Sequence, residues 1–170
     1  MLISPKMVEA INTQVGNEFG ASLQYVAIAA YFGGESLPEL AKHFNLQANE
    51  ERDHAMKFVT YLVDTGGHVA IPPIPAPKSK FASAEEAVQL SLDWEVTVTK
   101  QINALVDLAA KESDHIAHSF LQWFVNEQLE EVSSMDTLLR IIRRSGPGGL
   151  MFVEDYLARK GGGASAVPGA

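Results

Sequence analysis

The fold of this chain is decided by one segment, Gln47-Ala48-Asn49-Glu50-Glu51-Arg52-Asp53-His54. It places Glu51 three residues before His54, and residues at that spacing share one face of an α-helix. The same face continues through apolar positions on both sides of the segment, at Leu40, Phe44, Phe58 and Tyr61. An acid and an imidazole inside an apolar stripe indicate a metal site within a helical bundle.

Breaks and start signals divide the rest of the chain into helices. Thr65 to Phe81 holds two glycines and four prolines, so it cannot be helical, and 145–149 is a second stop. Four helix starts are predicted, at Ser4-Pro5, at Ser36 before Pro38, at the capping box Ser83 to Glu86, and at Asp114. We predict helices at roughly 5–33, 38–65, 84–111, 115–143 and 150–160.

These helices predict an all-α fold. Short links make the first two helices one antiparallel pair and the third and fourth another, while the proline segment is long enough to cross the bundle. The expected architecture is therefore an antiparallel four-helix bundle with a long crossover between helices two and three and a short fifth helix. We expect one domain over 1–160 and a flexible, glycine-rich tail over 161–170.

Each long helix carries an acid close to its midpoint, on the stripe that should face the core. The acids are Glu18, Glu51, Glu95 and Glu127, with Glu131 one turn further along. On the fourth helix the stripe is predicted at Phe120, Phe124, Glu127, Glu131, Ser134, Leu138 and Ile141. Because helix midpoints meet at one level in a bundle, these acids and His54 should converge in a single buried layer.

So many buried acids require compensation, because each unpaired buried ion costs about several kcal/mol. Arg52 and Lys57 are out of register with the core, and the chain has no cysteine. Carboxylate oxygen with imidazole nitrogen suits iron, manganese or zinc. Two divalent ions bridged by glutamates would offset most of the negative charge, so we predict a two-metal site.

The composition excludes several classes of function. The formal charge of −8 disfavours general binding to nucleic acid or to an anionic membrane. No apolar run approaches the ~20 residues that span a bilayer. The first residues lack the basic region and cleavage site of a secretory signal. We therefore expect a cytoplasmic protein without nucleic-acid or membrane partners.

At this point the sequence resembles the non-haem bacterial ferritins, over essentially residues 1–160. The matching segments are Asn17-Glu18, 47–54, Trp94-Glu95 and 120–131. The resemblance implies a di-iron ferroxidase centre with seven catalytic residues: Glu18, Glu51, His54, Glu95, Glu131, Tyr25 and Gln128. Glu18, Glu51 and His54 would hold the first iron, and Glu51, Glu95 and Glu131 the second, with Glu51 bridging.

The resemblance also implies a third iron site and a large assembly. The third site would take Glu50, Glu127, Glu130 and Glu131, while Trp123 would lie near the centre. The family assembles as a hollow shell of twenty-four subunits, which oxidises iron with dioxygen or peroxide and stores the ferric mineral. Haem is not predicted, because Arg52 replaces the methionine that binds haem in bacterioferritin.

Three other interpretations stay open on the sequence alone. A free-standing di-iron or di-manganese oxidase or catalase would share the site but not the shell. A DNA-protecting mini-ferritin is disfavoured, because its iron site lies between subunits. A structural bundle would keep its buried acids protonated and bind no metal. Separately, His115 and His118, beside Asp114, are interpreted as a polar helix start.

Overall fold

The computed structural model describes residues 2–162. It contains α1 (Pro5–Gly34), α2 (Pro38–Thr65), α3 (Ala84–Lys111), α4 (His115–Ser145) and α5 (Leu150–Gly162), with a 3-10 turn at Pro147–Gly149. The described part of the chain has no β-strand. The predicted all-α class and all five helices are confirmed, with each end within two residues of its predicted position. Gly161 and Gly162, assigned to the tail, belong to α5, and residues 163–170 lie outside the described residues.

Contacts between helix ends fix the topology. The Leu2 amide before α1 donates to the Thr65 carbonyl at the end of α2, at 2.9 Å, so these two helices are antiparallel. Arg143 near the end of α4 pairs with Glu85 at the start of α3. Because Ser4 also bonds Glu112 after α3, α2 and α3 run parallel, and residues 66–83 form the predicted crossover. No helix among residues 2–162 is long and apolar enough to cross a membrane.

The crossover is held against α1 by two side-chain amides. Asn12 donates to the His68 carbonyl at 2.8 Å and accepts from the Ala70 amide at 2.7 Å. Gln24, about three turns further along α1, makes the same two-way contact with the backbone of Lys78, at 2.9 Å in each direction. These bonds satisfy backbone groups that a non-helical segment would otherwise leave without partners.

Three of the four predicted helix caps are confirmed. The side chains of Ser4, Ser83 and Asp114 each accept a hydrogen bond from the backbone three residues on. Within the predicted capping box, the Glu86 carboxylate accepts from the Ala82 amide instead of the Ser83 amide. The second bond of the capping box therefore forms with the amide one residue before the N-cap.

The predicted cap at Ser36 is wrong. The N-cap position of α2 is Leu37, which makes no side-chain cap bond. Instead Glu154 of α5 accepts from the amides of Glu39 and Leu40, at 2.8 and 2.9 Å, and is 6% exposed. A carboxylate at a helix N-terminus satisfies free amides and interacts favourably with the helix dipole. The cap of α2 therefore comes from the other end of the chain.

Two apolar clusters fill the bundle, one on each side of its middle. One is built around Phe32, Phe44 and Leu139, and the other around Ile11, Phe58 and Leu121. On α4 the buried stripe includes Gln128, Met135 and Ile142. The sequence analysis predicted Glu127, Ser134 and Ile141 at these places, which is one residue too early in each case. Ser134 is in fact exposed. The two clusters leave the polar layer between them enclosed.

Candidate metal centre

Four glutamates and one histidine meet between the two apolar clusters. Each of the four long helices contributes one glutamate, and none of the five side chains is more than 5% exposed: Glu18, Glu51, Glu95, Glu131 and His54. The helix periodicity places these residues inward, because each follows the apolar stripe of its own helix. The structure brings four of the five predicted acids together at one depth, whereas Glu127 is half-buried at the edge of the layer.

The ligand atoms of these residues are close enough to share metal ions. These ligand atoms form three groups of three residues. Within each group, one ligand atom of every residue lies within 4.8 Å of the other two. The groups are Glu18–Glu51–His54, Glu51–Glu95–Glu131 and His54–Glu127–Glu131. Glu51 belongs to both of the first two groups, which makes it the candidate bridging carboxylate. The first two groups are the two ligand sets that the sequence resemblance implied.

His54 is fixed by polar and aromatic neighbours. Its Nδ1 lies 3.4 Å from Glu51 Oε2, and its Nε2 lies 3.8 Å from Glu127 Oε1. The ring packs edge-on against Trp123, with 5.4 Å between ring centroids. Trp123 is 40% exposed and carries the Lys57 ammonium 4.3 Å from its ring centroid. Trp123 therefore links the buried histidine to the surface of the subunit.

Two side chains orient Glu95. The Tyr25 hydroxyl donates a short hydrogen bond to Glu95 Oε1. The Gln128 amide lies 3.2 Å from Glu95 Oε2, from the Glu95 carbonyl and from the Thr99 hydroxyl. The sequence resemblance implied both residues at the centre, and the structure places both in contact with Glu95. Together they hold one carboxylate in a single orientation.

Burial and mutual repulsion shift the acids toward their neutral forms. Burial raises the pKa of Glu18 and of Glu51 well above the ordinary value, and the charges of Glu51 and Glu95, respectively, raise them further. Burial and the charge of Glu95 raise the pKa of Glu131 to about 8. For Glu95 burial also raises the pKa, while the bonds from Tyr25 and Gln128 oppose the rise. Such a layer needs either protons or bound cations.

The buried acids lack protein partners for some of their oxygens, and bound cations would supply them. Glu18 Oε2 and Glu51 Oε1 are buried without a hydrogen-bond partner, which is costly for a carboxylate. Among residues 2–162, every ion pair that includes Lys or Arg involves a surface acid instead of these glutamates. As predicted, Arg52 faces outward, where it pairs with Asp53. The unpartnered oxygens are therefore free to bind metal.

The predicted residues of the third site are only partly gathered. Glu127 is half-buried and belongs to the group with His54 and Glu131. Glu50 and Glu130 are exposed and belong to none of the three groups found in the described residues. Glu50 accepts a hydrogen bond from Gln47 at 3.0 Å. His115 and His118 are exposed beside the Asp114 cap, as expected for a polar helix start.

One buried polar residue at the centre was missed by the sequence analysis. Gln14 is 2% exposed and donates to Glu18 at 2.8 Å. The available signal was its position one helical turn before Glu18, at the i, i+4 spacing. Its polarity favoured a surface assignment, because glutamine is usually exposed.

The fold and the site define a class of protein: a four-helix bundle that encloses a carboxylate-rich site for two metal ions. Residues 8–145 match the family model Ferritin, described as a ferritin-like domain. The chain belongs to the ferritin family of iron-storage proteins.

Individual ferritins are similar to this chain over most of their length. The chain is 46% identical to ferritin BfrB of Mycolicibacterium smegmatis over 166 residues, covering 98% of this chain and 91% of the relative. It is 37% identical to the bacterial non-heme ferritin of Staphylococcus aureus, covering 85% of this chain and 87% of that one. The structure of an open-pore ferritin from Archaeoglobus fulgidus is similar with a TM-score of 0.89 at 35% identity, covering 92% of this chain and 96% of that chain.

Proposed function

We propose that this protein is a ferroxidase that oxidises Fe(II) at the buried centre and stores the ferric product inside a shell of twenty-four copies. The observation that carries the proposal is the pair of buried, unpartnered oxygens on Glu18 and Glu51. They lie in a layer of four acids supplied by four helices. A purely structural bundle gains nothing from that arrangement, because apolar side chains of similar size would cost less to bury.

We assign two positions to the iron substrate, on the basis of the ligand groups of the centre. Glu18, Glu51 and His54 would bind the first Fe(II), and Glu51, Glu95 and Glu131 the second. Two divalent ions bring four positive charges, which offset the four carboxylates of the layer. Metal binding would therefore replace the protons that burial otherwise favours on these acids.

The redox step follows from the ligand chemistry. Hard anionic oxygen ligands bind Fe(III) more strongly than Fe(II), so the acids favour oxidation of bound iron. Two Fe(II) ions each give up one electron, and one dioxygen takes the two electrons and two protons to become hydrogen peroxide. With peroxide as the oxidant, the same two electrons and two protons yield two water molecules. Either oxidant is compatible with a site that holds two ions together.

Product release would use the more exposed acids. Glu127 is half-buried at the edge of the centre, and Glu50 and Glu130 lie beyond it on the surface. With Glu131 they would form the third iron position and lead ferric ions from the centre to the cavity of the shell. Weaker, partly hydrated ligation there suits release better than the closed centre does.

The shell is supported by the relatives, because the similar solved structures are ferritins over more than nine-tenths of their length. On α5, Met151 and Phe152 are 70% and 76% exposed, which suits a face that neighbouring subunits cover. We propose a cytoplasmic homo-oligomer whose partners are iron ions and dioxygen or peroxide. Haem is not part of the proposal.

The test combines stopped-flow Fe(II) oxidation with a mass measurement of the assembly. We expect a rapid phase that saturates near two Fe(II) per chain, and a particle of about 440 kDa, twenty-four times the 18.4 kDa chain. A monomer or dimer with rapid oxidation would favour a free-standing di-metal oxidase instead. The absence of both a rapid phase and bound metal would contradict the proposal.

A further inference from the structure

Gln14 is a buried glutamine with a direct contact to a predicted iron ligand. Its Nε2 donates to Glu18 Oε1 at 2.8 Å, one turn along α1, and the side chain is 2% exposed. The hydrogen bond to Glu18 is its link to the centre.

Neighbouring amides fix which end of Gln14 faces Glu18. Asn17 donates to Gln14 Oε1 at 3.1 Å, so that oxygen is already engaged. Gln101 of α3 accepts from Gln14 Nε2 at 3.3 Å. Rotating the amide by half a turn would place its oxygen against the Glu18 carboxylate and would lose all of these bonds. The NH₂ group is therefore held toward Glu18.

The two oxygens of Glu18 consequently differ. Oε1 accepts the bond from Gln14, whereas Oε2 is buried without a partner. Glu18 can then offer a metal ion one free oxygen in a fixed direction. We infer that Gln14 is a positioning residue, which presents Glu18 to the first metal position with one oxygen held and the other free. This inference rests on the proposed function of the centre.

Packing alone does not explain a glutamine at this place. Methionine would fill a similar volume and has no polar group of its own to satisfy. A donor aimed at the ligand does contribute to metal binding, because it stabilises the ionised carboxylate and limits its rotation. Groups that orient metal ligands in this way change metal affinity by about 10–100-fold when they are removed.

The experiment is a stepwise Co(II) titration of the assembled protein, followed by calorimetry and visible absorption. We expect Gln14→Met to weaken one of the two tight binding steps by about tenfold and to leave the other step within about twofold. Gln89→Met is the control, because Gln89 bonds Asp93 and Arg143 at the surface instead of a buried acid of the centre. It should bind Co(II) as the wild type does.

The outcomes separate this inference from the proposed function. If the wild type binds two Co(II) per chain and Gln14→Met binds both equally well, the positioning role is overturned and the ferroxidase proposal stands. If the wild type binds no Co(II), the proposed function fails with it. Should Gln14→Met not fold, Asn17→Ala frees the Gln14 amide to rotate and should weaken the same step by about threefold. Unchanged binding in that variant would overturn the inference.

Discussion

Tyr25 of α1 and Glu95 of α3 are joined by a buried hydrogen bond between two neighbouring helices that both line the metal centre. The tyrosine is fully buried and packs against Phe44, with 5.8 Å between ring centroids. Burial, and then the charge of Glu95, raise the pKa of Tyr25 well above its ordinary value, so its hydroxyl keeps its proton and remains a donor. The apolar cluster therefore delivers one permanent hydrogen-bond donor to the acid layer.

Removing that donor should affect the second metal position more than the fold. Tyr25→Phe leaves Glu95 with Gln128 as its remaining side-chain donor, so we expect Co(II) or Fe(II) affinity at one position to fall by about tenfold. The free energy of unfolding should fall by no more than about 1–2 kcal/mol. Tyr31→Phe is the control, because Tyr31 packs on Phe32 and Phe81 at the periphery. Equal metal binding in both variants would contradict the role assigned to Tyr25.

Loss of a first-position ligand should separate oxidation from assembly. We expect Glu18→Ala or His54→Ala to slow rapid Fe(II) oxidation by at least roughly tenfold, because each removes one ligand of the pair. The shell should remain intact, and the metal-free Glu18→Ala protein should resist heat as well as the wild type does, because it has one fewer buried acid. Stopped-flow absorbance and particle mass measure the two effects. Glu9→Gln, an exposed change on the same helix, serves as the control.

The metal-free protein should lose stability as the pH rises. The pKa of Glu131 is about 8 in the folded chain, above the unfolded value near ~4.3, because of burial and the charges of Glu95 and Glu50. Between those values the folded state holds a proton that the unfolded state has released, so the free energy of unfolding falls with rising pH. We expect this one group to contribute roughly 2–4 kcal/mol of loss between pH 5 and pH 8.

Denaturant unfolding of chelator-treated protein at the two pH values tests this expectation. Glu131→Gln should show a smaller loss, because it cannot titrate. Added Zn(II) should also reduce the loss in the wild type, since the metal replaces the proton. If the free energy of unfolding falls by the same amount between pH 5 and pH 8 in wild type and variant, Glu131 is not the group responsible.

Replacing either of two glycines on α1 by alanine should change the stability of the fold in opposite directions. A Cβ on Gly16 would stand 2.4 Å from Cγ of Pro72 in the crossover, whereas on Gly20 its nearest neighbour, in Trp94, would be 3.6 Å away. We expect Gly16→Ala to destabilise the fold by about 1–3 kcal/mol, because the crossover must move. Gly20→Ala should be neutral or should stabilise by up to about 1 kcal/mol through helix propensity. Thermal unfolding of both variants measures the difference, and equal shifts would count against the close packing at Pro72.

The cap supplied by Glu154 should tie α5 to α2. Glu154→Ala leaves two amides at the start of α2 without their acceptor, at a cost of about 2–3 kcal/mol. We expect faster hydrogen exchange along α5 and the first turn of α2, with little change at the metal centre. Asp155→Asn is the matched control, because Asp155 is exposed on the same helix and pairs only with Arg159. Unchanged exchange in Glu154→Ala would show that apolar packing alone holds α5.

The sequence by itself determined the helices and the depth of the acid layer. Both follow from local rules: glycine and proline stop a helix, serine and aspartate cap it, and the spacing along one helix decides which side chains share a face. Glu18, Glu51, His54 and Glu95 could therefore be predicted as neighbours before any coordinates existed. Their binding of iron stays a prediction.

Only the tertiary structure decided the contacts between residues far apart in the chain. Glu154 caps α2 across more than one hundred residues, and no local pattern connects the two. The rotation of the α4 stripe depends on Gln128, a polar residue that is buried because Glu95 and Thr99 on another helix satisfy its amide. Gln14 is buried in part for the same reason, because Gln101 of α3 accepts from its amide in addition to Glu18 on its own helix. Sequence spacing gives the direction of a side chain from its own helix, but the partners that satisfy Gln128 and that Glu154 caps belong to a different helix.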